Sequence, residues 1–439
     1  MTYAELDAAA ERAGRWLVAA GVVPGDRVGT TLPPGLAFAA LLHGTPRVGG
    51  VLAPLPPRAP AAERERLVEL AAPRLVIEEP LDGPVDRDEP HAAHGAGRGV
   101  APGAPRLRDT LDPDAPHTLL FTSGTTGAPK LVELTLANHV ASARASAANL
   151  GVEPNDRWLC ALPVHHVGGL AVLVRSAFYG TAAIVHERFE AEAFKRSLES
   201  GEATLVSLVA TQLLRLREAE LERAPALRAA LVGGGPAPRN LLAWAAERGL
   251  PVLGTYGMTE TASQIVTMAA AEALVHDRRG SAGRLLPGVE LRIDPASGEI
   301  LVRGPSVARG GLDPDGWLHT GDRGRLDADG YLWVEGRLDA TIVTGGENVA
   351  AAEVEEALEA HPAVSEAAVV GRSDPEWGEA IAAYVVLDGR EDVSDAALVA
   401  HCRARLAAHK APKEVHRIER LPRTDSGKVA RGRLRADAR

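Results

Sequence analysis

Cysteine is almost missing from this 439-residue chain. Cys160 and Cys402 lie far apart and outside any C-x-x-C spacing, which excludes a zinc ribbon, a thioredoxin-like redox site and a disulfide framework, and points to a reducing, cytoplasmic setting. Long apolar runs are missing too: no stretch approaches the ~20 residues that a membrane-spanning helix needs. The opening MTYAELDAAAERAGRWLVAAGV carries Glu5, Asp7 and Glu11 among its apolar positions, a helical period and not the basic-then-apolar order of a signal peptide. Positive charge is in short supply. With a formal net charge of -10 and 4% aromatics, none interleaved with an arginine-rich face, the chain would repel a nucleic acid, and an anionic substrate needs a local cationic site. Lysine is the scarcer of the two basic residues, at only five positions (130, 195, 410, 413 and 428). Two of these, Lys130 and Lys428, close glycine-containing segments.

What is present is the composition of an ordinary globular enzyme, 46% hydrophobic and 24% charged, with a length that suits two or three folding units. Amphipathic helices alternate with short apolar runs such as Leu75–Ile77 up to about Glu79. Residues from about Pro80 to Pro116 are dense in Pro, Gly, Asp, Arg and His and read as a surface connection. From His117 onward, β-rich runs (Thr118–Phe121, Trp158–Ala161, Ala182–Val185, Leu205–Val209, Ala230–Val232, Val252–Gly254) alternate with helical stretches, a βα pattern that predicts mostly parallel sheets. After Ala282 the turns PASG, DPDG and DADG punctuate alternating segments, which predicts a small antiparallel sheet. A last unit starts near Asp339: a helix over Val349–His361, strands at Ala367–Val370 and Ala380–Leu387, and a helix near Asp395–Ala407. The fold class is therefore α/β, a large domain over 1–338 followed by a small α+β domain over 339–439.

Several segments carry chemistry. In FTSGTTGAPK, Phe121–Lys130, the hydroxyls of Thr122, Ser123, Thr125 and Thr126 and the pliable backbone of Gly124 and Gly127 are suited to wrap a polyphosphate that Lys130 neutralises. The Walker A spacing is absent, so the segment is not a P-loop. Gly233, Gly234 and Gly235 follow a short strand, and without a Cβ they let a planar ring approach the backbone. In YGMTET, beginning at Tyr256 and Gly257, Tyr256 offers a ring to stack on a base, Thr259 a hydroxyl for a phosphate, and Glu260 a carboxylate for the Mg²⁺ that accompanies ATP. Asp322 follows the turn glycine Gly321 and suits two vicinal ribose hydroxyls; Arg337, fifteen residues later, brings a fork of donors for ribose or phosphate.

TSGTTGAPK, YGMTET, HTGD (His319–Asp322), GRLDATIVTGGENV (Gly336–Val349) and RTDSGKVAR (Arg423–Arg431) together resemble the ordered motif series of the adenylate-forming superfamily, which holds acyl-CoA synthetases, peptide-synthetase adenylation domains and luciferases. The resemblance spans most of the chain. It implies an acid–CoA ligase that uses ATP, Mg²⁺ and coenzyme A, forming an acyl-adenylate and then a thioester. It implies that Lys428 stabilises the charge growing on both transferring oxygens when a carboxylate attacks the α-phosphorus. It implies also that the small domain swings about Asp339 between the two half-reactions, and that Gly345 and Gly346 line the pantetheine tunnel.

The acid pocket is expected near Leu162–Leu170, Ser207–Leu216 and Thr261–Met268. His166, followed by Gly168 and Gly169, matches a family position beside the activated carboxylate. Ser263, Gln264 and Thr267 are polar where a fatty-acyl tunnel would be apolar, so they imply a polar group at the far end of the acid, with Arg215 supplying positive charge. GMTETASQIVTM and PVHHVGGL are similar to the o-succinylbenzoate–CoA ligases of menaquinone biosynthesis, whose substrate is a compact aromatic dicarboxylate. Ligation of another aryl or short acid, or the loading of a carrier protein, stays open on these residues. The expected partners are small molecules; a homodimer is compatible with the resemblance.

Overall fold

A computed structural model describes residues 1–81, 107–123, 129–338, 341–344, 347–374, 377–389, 393–424 and 427–436. Most of the expected surface connection, and Gly124–Gly127, Asp339, Gly345 and Gly346, lie outside the described residues.

The first layer is built by helices α1 (Tyr3–Ala19), α2 (Leu36–Gly44) and α3 (Ala61–Ala71) around strands β1 (Arg27–Thr30), β2 (Val51–Pro54), β3 (Leu75–Ile77), β4 (Pro116–Ser123) and β5 (Pro129–Thr135). α1 begins where the Thr2 hydroxyl and Glu5 carboxylate cap each other's backbone amides. The sheet runs β3-β1-β2-β4-β5; its first four strands are parallel and the β4–β5 pair antiparallel. α4 (Leu136–Leu150) follows from a second reciprocal cap, Thr135 with Asn138.

The second sheet alternates β6 (Arg157–Cys160), α5 (Val167–Tyr179), β7 (Ala182–Val185), α6 (Ala191–Glu199), β8 (Leu205–Val209), α7 (Ala210–Glu218), β9 (Ala229–Gly233), α8 (Arg239–Glu247) and β10 (Val252–Met258), then adds β11 (Ser263–Thr267) and β12 (Arg284–Leu285). In the order β12-β11-β10-β9-β8-β6-β7, β6 to β10 are parallel and the last two antiparallel. The six β-rich runs of the sequence are all strands here. β10 continues four residues past Gly254 because β11 returns alongside it and satisfies its hydrogen bonds.

The expected antiparallel sheet consists of β13 (Glu290–Ile293), β14 (Glu299–Arg303), β15 (Leu318–Leu326) and β16 (Leu332–Arg337). Asn138 ties it to α4 by donating to the carbonyls of Pro305 and Val307. The C-terminal domain holds β17 (Thr341–Thr344), β18 (Glu347–Ala350), α9 (Ala351–Glu359), β19 (Val364–Asp374), β20 (Gly378–Leu387), α10 (Asp395–Arg403), β21 (Glu414–Arg417) and α11 (Arg431–Ala436). Its helix starts at Ala351, not Val349, because Val349 and Ala350 are drawn into the β17–β18 hairpin opposite Ile342 and Thr341. This domain has its own core, with Val354, Leu358, Val369, Ile381 and Leu398 fully buried, as a separately moving unit requires.

Candidate active site

The β4–β5 hairpin sets Thr122 directly opposite Lys130 and Ser123 opposite Pro129. A half-buried hydroxyl and an exposed ammonium therefore stand together at the mouth of the hydroxyl-rich loop. β5 packs against the 3-10 turn Thr259–Thr261, which brings that mouth to the YGMTET segment.

The turn itself is tightly made. The β10–β11 register shifts between Tyr256 and Gly257, and the strands cross so closely that a Cβ on Gly257 would lie 2.0 Å from the Ser263 carbonyl oxygen. The Thr261 hydroxyl accepts from the Met258 amide and donates to the Ser263 carbonyl at 2.6 Å. Ala262 and Ser263 take φ of 50° and 98°, a left-handed conformation that costs a side-chain-bearing residue about 1–3 kcal/mol and is held only where neighbours insist on it. They do: the Ser142 hydroxyl donates to the Ala262 carbonyl at 2.7 Å, and the Ala308 amide to the Glu260 carbonyl at 2.7 Å. The Glu260 backbone is fixed while its half-buried carboxylate has no hydrogen bond or ion pair among the described residues. An unpartnered carboxylate suits Mg²⁺, which takes one or two protein carboxylates and completes its shell with phosphate and water.

Asp322, the expected ribose residue, is held on both sides. Asp322 accepts from the Tyr256 hydroxyl at 2.8 Å through one oxygen and from Arg337 Nη1 at 3.1 Å through the other. Arg337 also donates to the Thr320 carbonyl at 2.8 Å, and Gly321, at φ +68°, leaves it room: a Cβ there would meet Nη2 at 2.7 Å. Burial, and then the adjacent Asp322 charge, push the Tyr256 hydroxyl pKa up, so it stays a donor. The Tyr256 ring is 9% exposed and packed among Ile265, Val266 and Ile300. Little of the ring is exposed, and its hydroxyl is engaged by Asp322.

At the edge of β9, a Cβ on Gly233 would meet Thr255 Cγ2 at 2.7 Å, Gly234 turns the chain at φ +78° against Val209, and Gly235 faces open space. The first two glycines thus serve strand contact and the turn; only the third leaves an open approach. The segment before Lys428 arrives at the same spot. Cβ positions on Gly234 and Gly427 lie 3.3 and 3.2 Å from the two methyls of Val209, and Gly427 also meets the Thr211 hydroxyl at 3.1 Å. Lys428 is exposed beyond this contact. The small domain is held to the large one by an Arg239–Glu356 ion pair at 2.7 Å.

On the acid side, His166 precedes the first residue of α5 without capping it through its side chain, its ring 4.3 Å from that of His165; burial, with the neighbouring imidazole, lowers His165 to about 3. Gly168 approaches Leu162, but Gly169 is pressed on the chain, a Cβ there falling 2.5 Å from the carbonyl oxygens of Leu162 and Pro163. Gly169 is thus a packing residue. Arg215 stands on the solvent face of α7, 59% exposed and paired with Glu218, which corrects its expected place beside the acid. Thr267 is buried with its hydroxyl 2.9 Å from that of Thr255, and the Ser263 carbonyl is engaged by Thr261 as above.

Gln264 leads to a residue the sequence reading missed. Its buried amide donates to Ser146 at 3.1 Å and accepts from Arg175 at 3.3 Å. Arg175 is 3% exposed, also donates to the Ser142 hydroxyl at 2.9 Å, and lies over the Trp158 ring. Burial lowers its pKa, and no carboxylate pairs with it among the described residues. A buried cation without an anion is costly; this one is linked through the Gln264 side chain to the strand whose Cα at Gln264 lies 2.7 Å from a Cβ position on Gly257. The signal was an arginine inside the apolar helix VGGLAVLVRSAFY.

The AMP-binding enzyme family matches residues 1–311, and the AMP-binding enzyme C-terminal domain residues 353–428. The chain belongs to the AMP-binding enzyme family. A 2-succinylbenzoate–CoA ligase of Bacillus cereus (strain ATCC 10987 / NRS 248) is 37% identical over 94% of this family member and 89% of its own length; one from Bacillus licheniformis is 43% identical over 74% and 71%. Among solved structures, the o-succinylbenzoate CoA synthetase of Bacillus subtilis in complex with the acyl-adenylate intermediate OSB-AMP superposes with a TM-score of 0.87 at 37% identity, covering 100% of this chain and 94% of that one. ATP-bound MatB from Rhodopseudomonas palustris also reaches 0.87, at 29% identity, over 99% of this AMP-binding enzyme and 93% of its own chain.

Proposed function

We propose that this AMP-binding enzyme is an ATP-dependent o-succinylbenzoate–CoA ligase. The observation that carries the activity is convergence: Gly427, one residue before Lys428, meets Val209 where Gly234 also meets it, and Tyr256, three residues before Thr259, holds the Asp322 that pairs with Arg337. In the first half-reaction the acid's carboxylate oxygen attacks the α-phosphorus of ATP and pyrophosphate leaves. Thr122 to Thr126 and Lys130 would cradle the departing phosphates, Thr259 the α-phosphate, and Asp322 the ribose. Mg²⁺, held by Glu260, would neutralise phosphate charge. The Lys428 ammonium would stabilise the oxygens on which charge grows. In the second, the CoA thiol attacks the adenylate carbonyl and AMP leaves, after the small domain, whose boundary we set between 338 and 339, turns at Asp339 and presents Gly345 and Gly346 to the pantetheine.

The Bacillus ligases named above carry o-succinylbenzoate, a dicarboxylate, in their names, and we assign Arg175 to its second carboxylate. A buried guanidinium presents a charge that a monocarboxylic acid would leave unpaired. Two free, buried cysteines support the reducing cytoplasm as its setting. The homodimer belongs to the same reading and is tested by light scattering. The function is tested by pyrophosphate release over a panel of acids, with and without CoA. A CoA thioester formed with o-succinylbenzoate supports the proposal; equal turnover of aliphatic monocarboxylates would overturn it.

A further inference from the structure

Lys428 sits on a loop with few internal contacts of its own. The Thr424 amide donates to the Lys428 carbonyl at 2.8 Å and the Gly427 amide to the Thr424 carbonyl at 2.9 Å, and Arg423 pairs with Val429 as an isolated bridge. Such a turn is closed on itself by these backbone bonds. Two arginines tie it to the domain. Arg423 Nη1 donates to the Gly427 carbonyl, one residue before the lysine, at 2.9 Å, while its Nη2 holds the Glu366 carboxylate of β19 at 2.5 Å. On the far side, Arg431 Nη2 meets both oxygens of Glu355 at 2.8 Å. The carboxylates are well sheltered, with side chains 14% and 9% exposed, and Glu355 is further fixed by the Val369 amide at 2.7 Å.

We propose that Arg423 is a positioning residue for adenylation, clamping the Gly427 carbonyl to the Glu366 carboxylate so that the lysine's segment meets Val209 and Thr211 at the nucleotide end of the large domain. The inference rests on the assignment of Lys428 to the first half-reaction. A guanidinium suits the task because its rigid fork holds a carbonyl and a carboxylate at once, which an ammonium on a flexible stem does less well. The consequence is confined to one half-reaction. Once the small domain has turned to admit the thiol, the lysine no longer acts, so losing the clamp costs adenylation and leaves thiolysis.

The test uses the full chain with Arg423→Ala, Arg423→Lys and Glu366→Gln, measuring o-succinylbenzoate-dependent ATP–pyrophosphate exchange and, separately, CoA thiolysis of supplied o-succinylbenzoyl-adenylate. Arg423→Ala is expected to lower the exchange rate by roughly 10–100-fold, the scale of a misplaced reacting group, with KM for ATP and acid nearly unchanged and thiolysis within about threefold. Arg423→Lys and Glu366→Gln are expected to fall between. Thiolysis itself reports that each variant is folded. Exchange within twofold of the parent, or equal loss of both half-reactions, would overturn the proposal. Lys428→Ala in parallel separates the two ideas. If it abolishes exchange while Arg423→Ala does not, the clamp fails and the lysine assignment stands; if it retains exchange, the lysine assignment fails and takes the clamp with it.

Discussion

Replacing Arg175 with methionine gives a prediction with two opposite halves. In the free protein the guanidinium is buried, 3% exposed, with no carboxylate against it among the described residues, so its removal relieves a desolvation cost of several kcal/mol. Against this, Gln264 loses its donor and Ser142 a partner, and an unsatisfied buried acceptor costs about 1–3 kcal/mol. The two nearly cancel, so the stability of the variant should stay within about 2 kcal/mol of the parent, far from the loss expected for a structural arginine. Substrate binding should behave otherwise. A carboxylate about 4 Å from a cation is worth about 4 kcal/mol at an effective dielectric of 20, and about 3 kcal/mol of lost pairing is a ~150-fold fall in kcat/KM for o-succinylbenzoate. The assay compares this acid with 3-benzoylpropionate, which has the same succinyl chain and lacks the ring carboxylate. The parent should prefer the diacid by about a hundredfold or more, and Arg175→Met should bring that ratio below about ten. A variant that keeps the preference, or loses activity equally on both acids, would refute the assignment of Arg175 to the second carboxylate.

Two further outcomes follow from the geometry. Tyr256→Phe removes one of the two groups holding Asp322 and leaves the buried ring in place, so KM for ATP should rise about fivefold, the worth of one hydrogen bond of ~1 kcal/mol, with little change in Tm; an unchanged KM would show that Arg337 alone orients the carboxylate. The second outcome concerns acid. Burial, with the Arg175 charge next, lowers His139 to about 4 from 6.5, so the unfolded chain binds the proton first as pH drops. Its contribution is fully present above pH 6.5 and is lost as pH falls toward 4, about 2 kcal/mol being gone at pH 5. Burial likewise lowers the neighbouring His117. Tm measured from pH 7.5 to 4.5 should fall steeply below 6.5, less steeply for His139→Gln; parallel curves would contradict the assignment.

Legibility differed by kind of information. Short β-rich apolar runs alternating with helical stretches located the strands of the second sheet, because burial on both faces leaves little else for such runs to be. The β17–β18 hairpin was less legible, since ENVAAAEV serves a strand end and a helix start equally well and only pairing with Thr341–Thr344 decides between them. In the site, Asp322 and Glu260 stood out because their roles depend on local order: a carboxylate after a turn glycine, another in a polar turn. Arg215 was misplaced and Arg175 overlooked for one reason. Which face of a helix or strand meets the cleft is a tertiary fact, and α7 turns Arg215 to solvent while α5 turns Arg175 inward.

Adenylation requires that the acid's own oxygen attack the α-phosphorus of ATP. It is tested most directly by supplying o-succinylbenzoate labelled with ¹⁸O in the succinyl carboxylate, together with ATP, Mg²⁺ and CoA, and analysing the nucleotide product by mass spectrometry. The account predicts that one labelled oxygen appears in AMP for each thioester formed. ADP as the nucleotide product, or AMP without label, would contradict it.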